Sequence, residues 1–219
     1  MSRIAGLVVL TVLSSAGVAH AQQCTGVQSF AGKPVQAFGA ATFDSTSRTL
    51  GAGLRLGGRR TFGEIELGSM YLKPLDASSL VIGTAVAYQV PLNAKGTIQF
   101  CPAASLGFGI GPQNIDSVDY SSSSWTLGGA IGVLATHTSQ IDVVPTVTLG
   151  FVHATQRLSG TITSWARSEA HSFEFIDLGV GLVHRHQLSL KPIVSIPLGL
   201  SGGTTSFTMA LFYSLGRPE

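Results

Sequence analysis

Charged residues are scarce in this chain of 219 residues: 13 Lys and Arg with 11 Asp and Glu make up 11% of it. A soluble domain carries about 25% charged residues, so the sequence lacks what an ordinary soluble surface needs. The net charge is +2 without any run of basic residues, which argues against nucleic-acid binding. Long apolar runs are missing as well. After the N-terminus, no segment offers the roughly 18 uncharged apolar residues that predict a spanning helix.

The first 21 residues have the pattern of a secretory signal peptide. Arg3 supplies a basic start, residues 4–18 form an apolar stretch, and residues 19–21 (AHA) fit a small-x-small cleavage site. Cleavage before Gln22 leaves about 198 residues, enough for a single domain. The alternative is an uncleaved anchor helix, although the stretch is shorter than the roughly 20 residues that a spanning helix needs.

Beyond this segment, large apolar residues alternate with small ones and no helical period is found. In residues 96–111 (GTIQFCPAASLGFGIG), Phe100, Leu106 and Phe108 share one face, while Cys101 and Ser105 share the other. A period of two predicts β-strands. We expect ten of them, at residues 34–43, 48–57, 61–72, 79–90, 96–110, 125–136, 140–155, 172–184, 188–198 and 205–215.

The composition of the second face decides which way the strands point. It consists of Gly, Ala, Ser and Thr with few charges, which makes a poor solvent-facing surface but a good filling for a narrow barrel. The large face must then meet lipid, and barrel closure satisfies every backbone group there. The sequence therefore predicts an all-β, closed antiparallel up-and-down transmembrane barrel of about ten strands. Eight strands remain possible if residues 34–57 hold one hairpin too many, and a soluble lipocalin-like barrel or sandwich is the other alternative.

The spacers between the strands predict the topology. Residues 111–124 and 156–171 form long polar spacers that alternate with short ones. Outer-membrane barrels have long outside loops and short periplasmic turns, so we expect both termini in the periplasm. Residues 22–33 would form a periplasmic segment ahead of a barrel at 34–216. The two long loops are the expected contact surfaces.

With its signal peptide, alternation, loop asymmetry and final strand SFTMALFYSL, the mature chain resembles the small outer-membrane β-barrel proteins of the OmpA and OmpX kind. One departure is the ending Leu215–Glu219, where such proteins often end on an aromatic residue. The resemblance implies a monomer in the outer membrane of a Gram-negative bacterium after signal-peptide export. Its partners would be outer-membrane lipid, lipopolysaccharide and the barrel-assembly machinery, with no nucleic acid and no cofactor.

The two cysteines are both expected on the periplasmic side. Cys101 lies on the small, inward face near the start of the fifth strand, and Cys24 lies in the N-terminal segment. In an exported protein, two such cysteines form a disulfide, which would tie the segment across the periplasmic mouth. Two unrelated thiols are the alternative. A redox-active pair is disfavoured because no CxxC spacing exists.

The same alternation turns several charged side chains into the barrel. Because buried charges are costly unless paired, we expect an ion-pair network that fills the lumen. A charged lining for a narrow pore is the alternative, but a barrel of eight or ten strands has little open lumen. The predicted network consists of Arg55, Glu64, Glu66, Asp142, Asp177 and Lys191.

Three sets of polar residues could carry chemistry. Lipid A 3-O-deacylases place a His and a Ser two residues apart on one strand with a carboxylate on the next, and this chain has His153, Thr155 and Glu174. That set suits acyl transfer, except that Thr replaces the expected Ser. A protease of the omptin kind would use carboxylates and a histidine at the outer rim, for which this chain has Asp116, Asp119 and His171. A metal site in a turn would use two histidines, His184 and His186.

None of these sets has a full pattern, so no catalytic or metal-binding residue is predicted. We expect a non-enzymatic outer-membrane barrel with a structural, surface-interaction or narrow-pore role. The alternative is a lipid-modifying acyl hydrolase.

Overall fold

The computed structural model describes residues 23–27, 30, 33–58, 60–73, 76–111, 118–160, 165–185, 187–199 and 204–215. The predicted signal peptide at 1–21 and the chain end after Leu215 lie outside these residues. Among the described residues, none belongs to a helix long and apolar enough to cross a membrane.

Ten long strands form one sheet that closes on itself. A short 3-10 helix, Gln23–Thr25, precedes them. Two short pieces, Val90–Pro91 and Thr136–His137, add to the ladder beside the fifth and seventh strands. The strands are β1 Val35–Phe43, β2 Ser47–Gly57, β3 Thr61–Leu72, β4 Ala77–Tyr88, β5 Ile98–Ile110, β6 Val118–Val133, β7 Ile141–Gly160, β8 Trp165–His184, β9 Leu188–Leu198 and β10 Ser206–Leu215.

Each strand pairs antiparallel with its neighbours in sequence, and β1 pairs with β10 to close the barrel. The register across the closure runs from Val35 opposite Leu215 to Phe43 opposite Phe207. The predicted closed antiparallel up-and-down barrel of ten strands is confirmed. The eight-strand alternative is wrong, because β1 and β2 are two full strands that pair along their whole length.

The large apolar side chains point out of the barrel. Leu54 and Leu56 are 45% and 59% exposed, while Arg55 between them is buried. The outward residues form an apolar belt around the molecule, since no other part of the described chain covers them. Other members of this belt are Ile65, Leu67, Leu106, Phe108, Leu127, Ile131, Val147, Leu149, Leu178 and Leu211.

The inner surface carries aromatic rings that the small-face pattern does not predict. Phe38, Phe62 and Phe212 are all less than 10% exposed, and the rings of Phe38 and Phe212 stack with centroids 5.6 Å apart. Glycines on neighbouring strands make room for them; the ring of Phe38, for instance, occupies the space beside Gly53. The lumen is therefore filled by a few large side chains set among small ones.

Strands β6, β7 and β8 are longer than predicted. We expected the sixth strand to begin at 125, the seventh to end at 155 and the eighth to begin at 172. Instead, pairing continues through residues 118–124, 154–160 and 165–171, with Val118 opposite Gly160 and Gly160 opposite Trp165. We call these three ranges the extension.

The long loops predicted at 111–124 and 156–171 are thus wrong in their bounds. Most of the residues in these ranges are paired strand, and only 161–164 separate β7 from β8. The alternation of large and small residues fades in these ranges, where the four serines Ser121–Ser124 occupy both faces of β6. Backbone pairing needs no such alternation, and it continues.

Candidate functional site

The N-terminal segment enters the barrel at the end that carries both described chain ends. Cys24 is bonded to Cys101 of β5, with their Cα atoms 5.7 Å apart, and both side chains are buried. This separation is typical of a disulfide. The bond places the 3-10 helix against the inner wall formed by β5, β6 and β7.

From the disulfide, the segment runs past β7 and β8 toward the far wall. Gly26, with φ +67°, packs directly on Gly181 of β8, a close approach that a Cβ on Gly181 would prevent. Val27 is fully buried against Phe38 and Phe212.

Phe30 then completes the crossing. Its ring occupies the space beside Gly57 of β2 and lies 5.9 Å from the ring of Phe62. The described part of the segment therefore contacts both sides of the barrel and forms a plug at this mouth. We call residues 24–30 the plug, of which 24–27 and 30 are described.

The central charged pair lies above the plug. Nε of Arg55 donates to Oε2 of Glu64 at 2.6 Å, across the paired positions of β2 and β3. The guanidinium also lies over two rings, 4.7 Å from the centroid of Phe62 and 4.8 Å from that of Phe212. Such cation–π contacts stabilise a cation that has left water.

Three other predicted lumen residues also point inward. Glu66 occupies the space beside Gly51 and Gly83 on the two flanking strands. Lys191 is half-buried, with Asp177 and Glu64 as attractive charges and Arg55 as a repulsive one.

Asp177 accepts a hydrogen bond from Ser195 through one carboxylate oxygen, and its Oδ1 has no partner among the described atoms. The charges of this middle layer, Arg55, Lys191, Glu64, Glu66 and Asp177, are two positive and three negative.

Asp142 belongs to a different place. It lies near the plug end of β7 and accepts from Nδ1 of His137 at 2.7 Å, where the histidine is largely exposed. The structure therefore brings Arg55 and Glu64 into direct contact and sets Glu66, Asp177 and Lys191 in the lumen, whereas Asp142 contacts His137. His137 was not singled out from the sequence, because its partner depends on how the chain pairs after the turn.

At the other end of the belt, the structure forms a pair that the sequence did not predict. Nδ1 of His153 lies 2.7 Å from Oγ of Ser172 on the neighbouring strand. The imidazole stacks on Trp125 of β6, with ring centroids 5.6 Å apart. The hydroxyl expected to partner His153 was Thr155, two residues away on the same strand, but the partner comes from β8.

Glu174 follows two residues after Ser172 on the same outward face. Within the described residues, it forms no ion pair with His153 at 4.0 Å or less. A histidine and a serine are thus in contact on the outer surface, and no carboxylate of the described residues pairs with the imidazole.

The remaining candidates stay apart. His171 lies 3.6 Å from Glu169 on its own strand, and both are exposed. Asp116 and His186 lie outside the described residues, as does the side chain of Asp119. His184 pairs through its backbone with Ile141 at the end of β8. In the described part of the chain, no three His, Cys, Asp or Glu residues converge as metal ligands.

Comparison with known proteins gives likenesses of fold alone. No family model and no curated protein sequence matches the chain. Among solved structures, the N-terminal β-barrel domain of Pseudomonas aeruginosa OprF is similar, with 11% identity, a TM-score of 0.41 and coverage of 83% of this chain and 96% of that one.

Two further structures are similar to the same degree. Yersinia pestis Ail, solved with the heparin analogue sucrose octasulfate, has 10% identity, a TM-score of 0.44 and coverage of 84% and 99%. The translocator domain of the Neisseria meningitidis autotransporter NalP has 12% identity, a TM-score of 0.46 and coverage of 84% and 89%. At these scores the likenesses carry no functional information for this chain. By its own strand order and apolar outer belt, the chain has the architecture of the small outer-membrane β-barrels.

Proposed function

We propose that this protein is a non-conducting outer-membrane barrel whose extension contacts the saccharide layer outside the membrane. The observation that carries the proposal is the continued pairing of β6, β7 and β8 beyond the row formed by Trp125, His153 and Ser172. At about 3.3 Å per residue, the extension adds roughly 20 Å along the strands. In this setting the end with the plug faces the periplasm, and the extension lies at the end that faces the outside of the cell.

The side chains of the extension support contact with sugars. Its outward face carries hydroxyl groups on Ser121, Ser123, Thr155 and Ser168, together with the exposed Arg157. Hydroxyls and a guanidinium form hydrogen bonds with sugar hydroxyls and with phosphate. Lipopolysaccharide surrounds every barrel in an outer membrane and presents both groups, so it is the partner that we propose.

The plug supports a role without transport. It crosses the mouth of the barrel, it is covalently held to β5, and its buried residues contact β1, β2, β3, β8 and β10. Above it, inner aromatic rings and the charges of the middle layer occupy the lumen.

The proposal can be tested with two serine pairs on one strand. Ser121 and Ser123 point outward, whereas Ser122 and Ser124 point inward and cover Gly109 and Gly107. The protein is reconstituted into phospholipid vesicles with and without lipopolysaccharide. The temperature at which the heat-modifiable folded band disappears is then measured for the wild type and for the two double alanine variants.

We expect lipopolysaccharide to raise this temperature for the wild type and for Ser122→Ala/Ser124→Ala. The rise should be at most half as large for Ser121→Ala/Ser123→Ala. Equal rises for both pairs, or no rise for the wild type, would contradict the saccharide contact. Stepwise conductance of the wild type in planar bilayers would contradict the non-conducting role.

A second function, hydrolysis of an acyl ester, is favoured by one specific contact. The 2.7 Å bond between His153 and Ser172 places a base beside a hydroxyl nucleophile at the outer edge of the belt, where lipid esters lie. In that role, His153 would take the Ser172 proton as Oγ attacks the ester carbonyl, and would return it to the leaving alcohol. A water molecule deprotonated by His153 would then attack the acyl-serine, which releases the fatty acid and restores the Ser172 hydroxyl. The absence of an orienting carboxylate within the described residues makes this the weaker candidate.

The hydrolase is tested by analysing lipid A from cells that express the wild type, Ser172→Ala or Thr155→Ala. A hydrolase at this site would release a fatty acid in the wild type and in Thr155→Ala, but not in Ser172→Ala. Identical lipid A in all three strains and in cells without the protein would exclude this function.

A further inference from the structure

The outer wall of the barrel has a groove in its apolar belt at the plug end. The groove has a volume of about 880 Å³ and lies across β2, β3, β4 and β5. Leu56, Gly63, Val86 and Ala104 form one row of it, since these residues are paired neighbours in the register of the four strands. Tyr88 and Pro102 lie below that row and also line the groove.

Two local features form the groove. Gly63 contributes no side chain between the large residues Leu56 and Val86, so the wall is recessed there. In addition, the pairing of β4 with β5 stops after Ala87 and Ala103, where Pro102 has no N–H to donate. The ladder resumes only at Val90 and Phe100.

From its position and lining, we infer that the groove binds one acyl chain of a phospholipid in the membrane leaflet at the plug end. The inference depends on the membrane setting of the proposed function, but not on the saccharide contact or on Ser172. The belt around the groove is immersed in hydrocarbon, and the groove is a continuation of that surface. Its lining is almost entirely apolar, so water has few hydrogen-bond partners there, whereas an acyl chain fills it with favourable contacts.

A lodged chain differs from the lipid that surrounds any membrane protein. The exposed belt offers a convex surface, from which lipid exchanges freely. In the groove, Leu56, Val86 and Tyr88 flank the chain on more than one side, so more of its surface is covered. This predicts a phospholipid that stays bound when the surrounding lipid is replaced by detergent.

The chain offers a matched pair of substitutions to test this. A Cβ on Gly63 would meet only the carbonyl oxygen of Ala85 at 3.8 Å, and a Cβ on Gly39 would meet only that of Gly51 at the same distance. Both glycines lie at outward-facing positions within a strand, and neither has a positive φ. Gly63→Leu fills the groove, while Gly39→Leu adds the same side chain to the outer wall at β1.

The experiment is to reconstitute the full chain into vesicles of phosphatidylethanolamine and phosphatidylglycerol, extract it into mild detergent and record native mass spectra. We expect one retained phospholipid on most wild-type and Gly39→Leu barrels, and at least a fivefold lower retained fraction on Gly63→Leu. Ala104→Leu fills the neighbouring part of the groove and serves if Gly63→Leu does not show the folded band on a gel.

Equal retention by the wild type and the groove-filled variants would overturn the inference, as would a wild-type barrel that inserts but retains no lipid. Failure of the wild type to insert into vesicles would instead contradict the proposed membrane setting. If Gly39→Leu also loses the retained phospholipid, lipid is held by the outer wall in general, and this result would overturn the inference as well.

Discussion

A Cβ atom on Gly181 would overlap the backbone of Gly26, so the plug and strand β8 touch backbone to backbone inside the barrel. The close approach requires glycine at position 181, and Gly26 adopts a φ of +67° that favours glycine. On the far side, Gly57 accommodates Phe30 in the same way. The plug is thus seated by the shape of the inner wall as well as by its disulfide.

Gly181→Ala should therefore displace the plug. We expect a loss of about 1–3 kcal/mol in the free energy of unfolding, typical of overpacking. Gly83→Ala is the control, because a Cβ at this inward position meets the side chain of Glu66 only at an ordinary 3.7 Å. A Gly181→Ala barrel as stable as Gly83→Ala would show that the plug does not rest on β8.

The disulfide between Cys24 and Cys101 closes a loop of 77 residues. Loss of loop-closure entropy in the unfolded chain predicts that the bond stabilises the protein by about 4 kcal/mol. Reduction should lower the urea midpoint of the wild type to that of the Cys24→Ser/Cys101→Ser variant. The double variant itself should not respond to the reductant. A wild-type midpoint unchanged by complete reduction, verified by thiol labelling, would contradict this expectation.

The sequence predicted the parts of this fold that meet two different environments. In β2, for example, Leu54 and Leu56 face lipid and Arg55 faces the lumen, so large apolar residues recur at every second position of the sequence. The same rule correctly put Cys101 inside, where Cys24 reaches it. Strands, closure and orientation were accessible to sequence reasoning for this reason.

Sequence reasoning missed features of two kinds. Some depend on which residues pair across strands, and others lie in strand segments whose two faces carry similar side chains. Ser121–Ser124 are four identical residues in a row, so no alternation marks them as strand. The contact of His153 with Ser172 and the recess at Gly63 arise from residues paired across strands, and the sequence does not show which residues pair. Phe212 could have been found by parity alone, since it alternates with the outward Leu211 and Tyr213.

The buried pair of Arg55 and Glu64 gives a prediction about paired charge. Glu64→Gln leaves the guanidinium buried without its carboxylate, which costs about 3–5 kcal/mol in comparable buried pairs. Replacing both residues, as in Arg55→Met/Glu64→Leu, should cost much less, because no unpaired charge is left. The free energy of unfolding in urea measures both variants.

The exposed pair of Glu169 and His171 supplies the control for that experiment. Its atoms are 3.6 Å apart and both side chains are largely in water, so Glu169→Gln should cost less than about 1 kcal/mol. A Glu64→Gln variant no less stable than Glu169→Gln would mean that the buried pair contributes nothing beyond a surface pair.

Asp44 gives a prediction about pH, because it organises the turn between β1 and β2. Its Oδ1 accepts from the amides of Thr46 at 2.6 Å and Ser47 at 2.7 Å, and its Oδ2 accepts from the hydroxyl of Ser47 at 2.5 Å. Burial raises the pKa of Asp44, but the hydrogen bonds from Ser47 and Thr46 together lower it by more, so the pKa lies below its ordinary 3.8.

A carboxyl group with a lowered pKa in the folded state stabilises the fold only when it is ionised. The contribution of Asp44 is therefore fully present at neutral pH, and it is lost as the pH falls below 3.8 and through the lower pKa of the folded state. Asp44→Asn should lower the urea midpoint near pH 7, and the difference from the wild type should shrink toward about pH 2. Ser45→Ala, in the same exposed turn, should show a difference that does not change with pH. A constant difference for Asp44→Asn across this range would mean that its effect comes from the shape of the side chain, and that the carboxylate charge plays no part in holding the turn.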